Sequence, residues 1–148
     1  MKIVNTIIEL RSKQEFDFID LTDKVKAFVK ESQIKNGFLN IQTLHTTAAI
    51  IVNEKEPLLL EDFKRHLGNL SPKTLKYNHD DFKRRTINVC PDECINGHSH
   101  CKAILLPVNI TLNLIEGEIQ LGQWQRIFLV ELDRARKRKL KIKISEKQ

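Results

Sequence analysis

The chain has 148 residues, enough for one hydrophobic core, and a single domain over residues 1–148 is expected. Hydrophobic residues make up 41% and charged residues 30%, too apolar for a disordered tail, and no apolar run approaches the roughly 20 residues of a membrane-spanning helix. The formal charge of +6 is local, because residues 134–143 carry seven bases and no acid while the rest is nearly balanced.

The opening MKIVNTIIELRSKQE mixes an acid and bases with its apolar residues and lacks the pattern of a signal peptide, so a cytoplasmic protein is expected. Lys2 to Leu10 reads as a strand, and Phe16 to Ile19 as a second, short one. A helix follows from about Leu21 to Ile34, capped by Asp20 or Thr22 and closed by Asn36-Gly37. Its buried stripe is Leu21, Val25, Phe28 and Val29. Phe38 to Val52 is β-rich, in two pieces around His45-Thr46-Thr47. Pro57 suits the first turn of a second helix, whose stripe is Leu59, Phe63 and Leu67.

Residues 68–97 read as a long irregular connection, the kind of loop that often carries function. From Cys101 onward strands resume, with a hairpin at Glu116-Gly117 and a strand from Trp124 to Leu132. Leu140, Ile142 and Ile144 alternate with Lys139, Lys141 and Lys143, the period of a half-buried strand. Two helices among about eight strands predict an α+β fold, mainly an antiparallel sheet or sandwich.

Histidines cluster at the junctions. His98 and His100 would share one face of an extended chain and hold a metal between them. His45, within LHTTAAI, and His79, which opens His-Asp-Asp, are further ligand candidates; each also has a structural reading, as a core histidine or a solvated one. Asp80, Asp81 and Glu54 are suited to orient imidazoles or to handle a proton. A zinc knot of Cys90, Cys94, His98 and His100 competes with this reading but lacks the usual paired spacing, and the three cysteines are expected as free thiols. The basic run is read as a solvated strand face. No aromatic residue interleaves with it, so nucleic acid is not expected as a partner.

The series LHTTAAIIVNE (44–54), YNHDD (77–81), NGHSHCKAILL (96–106) and EGEIQLGQWQRIFLVELDRAR (116–136) resembles the YjbQ family, also called the secondary thiamine-phosphate synthase family, over nearly the whole chain. The resemblance implies a small α+β trimer with a histidine-lined site for a divalent metal ion, zinc or magnesium. It places His45, His79, His100 and, less regularly, His98 as ligands. Glu54, Asp81 and Arg136 take catalytic positions, and Trp124 and Gln125 substrate-binding ones. The implied activity is weak thiamine-phosphate synthesis, joining a hydroxymethylpyrimidine diphosphate to a thiazole phosphate. Metal-dependent hydrolysis of a small phosphate or amide, or a non-catalytic metal-binding trimer, are the alternatives.

Three positions depart from the family pattern. Gln123 replaces a small hydroxyl residue before Trp124, Asn109 stands for a serine, and Arg134 replaces a turn glycine. All three put the substrate, rather than the fold, in question.

Overall fold

The computed structural model describes residues 2–147; Met1 and Gln148, the ends of the expected 1–148 domain, lie outside the described residues. The elements run β1 (Ile3–Arg11), β2 (Phe18–Asp20), α1 (Thr22–Ser32), β3 (Gly37–Thr43), β4 (Ala48–Glu54), α2 (Pro57–Leu70), a 3-10 turn (Asn78–Asp80), α3 (Gly97–Ala103), β5 (Asn109–Ile115), β6 (Glu118–Ile119), β7 (Gln125–Glu131) and β8 (Lys137–Glu146). The α+β expectation holds. Among the described residues, no helix is long and apolar enough to cross a membrane.

Two antiparallel sheets form, one in the order β1-β8-β3-β5-β6 and one in the order β2-β7-β4. Leu39, Ile41, Leu140, Ile142 and Ile144 of the large sheet meet Ile50, Ile127 and Leu129 of the small one, and Leu21, Val25 and Val29 add the apolar stripe of α1 and its entry. The opposite face of the small sheet is covered as well, with Phe128, Val130 and Leu132 packing beside Leu67 of α2. Burial on both faces explains why β7 reads as a continuous apolar run rather than an alternating one. Strand β8 does alternate, with every second residue from Arg138 to Ile144 buried.

The ends of α1 differ from the sequence reading. Leu21 holds the N-cap position, and Asp20 Oδ1 accepts the Thr22 N–H at 3.0 Å, so the expected acid acts from one place earlier. Gln33, at φ 58°, closes the helix, while Gly37 opens β3 instead. In α2, the Glu56 carboxylate accepts the Leu58 and Leu59 N–H groups at 2.9 and 2.7 Å ahead of the expected Pro57. Glu116 and Gly117 take φ 53° and 84°, a tight turn that needs positive φ at both central positions.

Asp20 ties β2 to β7. Burial acts to raise its carboxyl, but hydrogen bonds from the Thr22 side chain and backbone, and from Arg126 and Lys55, outweigh this and hold it at about 2. A depressed carboxyl contributes stability above its unfolded value of 3.8 and loses it as pH falls through the folded one. Urea unfolding should therefore show a loss of about 2 kcal/mol between roughly pH 4 and pH 2 that is missing in Asp20→Asn. An equal acid loss in both proteins would contradict this role.

Candidate functional site

The site is built on the connection from β7 to β8. Glu131 ends β7 with its carboxylate fully buried. It accepts hydrogen bonds from Ser12 Oγ at 2.6 Å, the Asp133 N–H at 2.9 Å and Arg138 Nε at 2.7 Å, and pairs with Arg138 Nη2 as well. Arg138 Nη2 also donates to the carbonyl and hydroxyl oxygens of Thr47, at 3.2 and 3.0 Å. This buried pair fastens the β3–β4 loop, which carries His45, to the start of β8. His45 Nε2 accepts the Lys139 N–H at 2.8 Å.

Asp133, 4% exposed, lies in the turn itself. Its Oδ2 accepts from Arg134 Nη1 at 2.7 Å and Arg136 Nη1 at 3.1 Å, which fixes two half-exposed guanidiniums side by side. Each keeps further N–H groups free of this contact, and such a pair suits a phosphate or diphosphate.

The 3-10 turn and α3 bring His79 and His100 together. Asp80 Oδ1 accepts the N–H groups of Asn96 and Gly97, both at 2.9 Å, and so anchors the start of α3 to the turn that carries His79. Gly97 is required there, because a Cβ would come within 2.5 Å of the Tyr77 Cβ. The result is a close pair of imidazoles, His79 and His100, with ring centroids 4.6 Å apart and planes tilted by 58°. His79 Nε2 is buried without a hydrogen-bond partner, while its carbonyl accepts from Arg85 Nη1 at 3.3 Å.

Three imidazoles are held toward the neutral form. Burial lowers His100, and the neighbouring His79 and Arg85 charges add to it, opposed by Asp133 and Glu93. Burial also lowers His45, reinforced by Arg138 and Arg136. His98 is lowered by burial and by Lys102, against Glu15. Asp133 opposes the lowering of both His98 and His100, and Arg136 adds to that of His45. A neutral imidazole near physiological pH can accept a proton during a reaction.

The expected metal cofactor, zinc or magnesium, is not supported. Among the described residues, no group of three or more His, Cys, Asp or Glu side chains is arranged to hold a metal ion. The reason is local. Residues 97–103 form a helix, not a strand, so positions two apart diverge by about 200°. His98 therefore turns into the interior, with Nε2 3.1 Å from Ser99 Oγ and 3.4 Å from Glu15 Oε1, while His100 packs beside His79. His45 has committed its Nε2 lone pair to the β8 backbone. Cys90 and Cys94 are exposed free thiols, and Cys101 is a partly buried one.

The other expected residues separate into two places. Arg136 stands in the turn with Asp133. Asp81 Oδ1 accepts the Lys83 N–H at 3.2 Å within its own loop. Glu54, Trp124 and Gln125 lie at the other end of the small sheet, where Glu54 pairs with Gln125 and Ala48 with Glu131. Six residues of strand separate the two ends, roughly 20 Å. There Gln125 Oε1 accepts the Gly122 N–H at 2.8 Å, and Trp124 is 64% exposed.

Sequence reasoning missed Glu131, Arg138, Asp133 and Arg85. For Arg138 a signal existed, because it falls in phase with buried Leu140, Ile142 and Ile144.

A family model described as UPF0047 protein YjbQ-like matches residues 6–147. The chain belongs to the YjbQ family. A UPF0047 protein of Methanothermobacter thermautotrophicus is 33% identical over 147 residues, covering 99% of this chain and 95% of the relative. Among solved structures, a YbjQ-like protein of unknown function from Sulfolobus solfataricus shares 31% identity with a TM-score of 0.87, covering 99% of each chain. A YjbQ/UPF0047 protein of Clostridium acetobutylicum shares 31% with a TM-score of 0.82, covering 95% of this chain and 99% of that one. The YjbQ fold thus extends over the β7–β8 turn, the 3-10 turn and α3. The family is a group of largely uncharacterised proteins.

Proposed function

We propose that this YjbQ protein is an enzyme acting on a phosphorylated small molecule at the β7–β8 turn. The observation that carries the reading is the pair Arg134 and Arg136 held by buried Asp133 in the neighbourhood of the neutral His100. Preorganised guanidiniums stabilise charge that develops on a departing phosphate or diphosphate, and they do so without reorganising during the step.

The reaction proposed is the one the family resemblance implies, the joining of a hydroxymethylpyrimidine diphosphate to a thiazole phosphate. The thiazole nitrogen bonds to the methylene carbon on the pyrimidine as the carbon–oxygen bond from that carbon to diphosphate breaks, and the electron pair leaves on the diphosphate oxygen. Arg134 and Arg136 receive that charge. His100, backed by His79, is placed to donate or accept a proton at the bound phosphate oxygens. A homotrimer is part of the same proposal. Trp124 and Gln125, on the far end of β7, would enter such a site from an adjacent copy.

The test supplies both substrates and then each one alone, and assays thiamine phosphate and free diphosphate together. The account expects equal amounts of both products, only when both substrates are present. Phosphate or diphosphate released from one substrate alone, with no joined product, would replace it by hydrolysis. Light scattering should give three times the mass of the chain.

A further inference from the structure

The basic run has a shape that its sequence conceals. Lys137, Lys139, Lys141 and Lys143 all stand on the exposed face of β8, in one row. Strand β8 lies inside the large sheet, between β1 and β3, so the lysines are not guarding a sheet edge. Like charges repeated along one strand face repel each other, and acids on the flanking strands would normally relieve this. Here Glu9 of β1 supplies such relief, paired with Lys139 at 2.8 Å and also attracting Lys137, while Lys141 and Lys143 have no ion pair among the described residues.

Toward β3 and β5 the neighbours of the row are mainly amides and hydroxyls, while on β1 the half-exposed Ile7 stands opposite Lys141 and Arg11 opposite Lys137. Lys143 lies between Asn5 and Asn40, and Lys141 is followed on β3 by Gln42. Thr111 and Asn109 of β5 continue these rungs. Phe38 of β3, half exposed, stands opposite Ser145, one same-face position beyond Lys143. Beside it lies a cavity of about 470 Å³ lined by Asn36, Asn113, Ile115 and Lys147. The interleaved aromatic that the linear sequence lacks is thus supplied by the adjacent strand.

We infer that this face binds single-stranded RNA, with the phosphodiester backbone along the four lysines and a base stacked on Phe38. The match is one of charge and spacing. Alternate residues of a strand repeat at about 6.6 Å, comparable to the separation of successive phosphates in an extended strand. A sheet face with an exposed aromatic accepts an unstacked base, and the amides and Thr111 offer partners for ribose hydroxyls. Four of the seven bases of residues 134–143 stand on this face, which gives it a positive potential. This inference is independent of the chemistry at the β7–β8 turn.

The test measures anisotropy of a fluorescein-labelled 12-nucleotide oligouridine titrated with the full chain across a salt series. Four phosphate contacts predict a slope of log affinity against log salt of about −2.8, and Lys141→Gln with Lys143→Gln should make it shallower by about 1.4. Phe38→Ala should weaken binding about fivefold or more while leaving the slope unchanged. Circular dichroism and light scattering on each variant verify fold and mass. Absence of binding at low salt, or an unchanged slope in the double variant, would overturn the inference. Equal affinity for oligothymidine would overturn the assignment to RNA, and full affinity in Phe38→Ala would overturn base stacking. A smaller assembly in the folded double variant, with no RNA bound by the wild type, would assign the face to contact between copies instead.

Discussion

Arg138→Ala is expected to destabilise the protein by about 3–5 kcal/mol, because it strands a buried carboxylate without its cation. Glu131 is fully buried and Arg138 is 2% exposed, so water cannot replace the missing partner without opening the junction of β7, β8 and the β3–β4 loop. The same substitution removes both hydrogen bonds from Arg138 Nη2 to Thr47, which frees the loop bearing His45. Urea unfolding checks the size of the loss. Replacing the pair together, as Glu131→Met with Arg138→Leu, should recover much of it, because two apolar groups bury without a charge. Recovery should stay incomplete, since Ser12 Oγ and the Asp133 N–H also lose their acceptor. A loss below about 1 kcal/mol for Arg138→Ala would mean that the pair is solvated rather than buried.

Arg136→Gln is expected to leave the fold intact and to lower turnover by roughly 100-fold, the usual effect of removing one preorganised donor to developing charge. Its side chain is 40% exposed and is bound to Asp133 beside Arg134, so stability depends little on it. The loss should fall mainly on kcat, because the charge on the leaving group is greatest in the transition state. An equivalent rise in KM with unchanged kcat would instead make Arg136 a ground-state binding group. Steady-state assays of joined product, with circular dichroism on the same preparation, separate these outcomes.

The strands were largely legible because their patterns are local. The β8 alternation, the Glu116-Gly117 turn and the break at His45-Thr46-Thr47 all survive in the structure. Helix α3 was not legible. Gly97-His98-Ser99-His100 carries no apolar stripe, and its start is fixed by Asp80, sixteen positions earlier than Asn96. Misreading that segment as extended put His98 and His100 on one face, and the metal expectation rested partly on that geometry. The helix separates them, so His100 meets His79 while His98 meets Glu15.

The candidate site was half legible. Arg136 and the histidines were named from their motifs; the structure sets His79 beside His100 and Arg136 on Asp133. Asp133, which holds the arginines, and Arg85, which acts on His100, gave no periodic or motif signal. Their roles depend on contacts between segments far apart in sequence, which neither propensity nor spacing encodes. Trp124 and Gln125 were expected beside the histidines, but the register of β4 and β7 sets them at the opposite end of the sheet.

If the β7–β8 turn, the 3-10 turn and α3 form one phosphate-recognising site, as proposed, an added diphosphate must reach its histidines. The most direct measurement is a titration with inorganic diphosphate, followed by the ring proton and nitrogen resonances of all five histidines. Saturable shifts are expected for His45, His79 and His100, with little change for His66 on α2 and loss of saturation in Arg134→Gln with Arg136→Gln. Rings that ignore diphosphate in the wild type, or that respond identically in the double variant, would contradict the proposed single site.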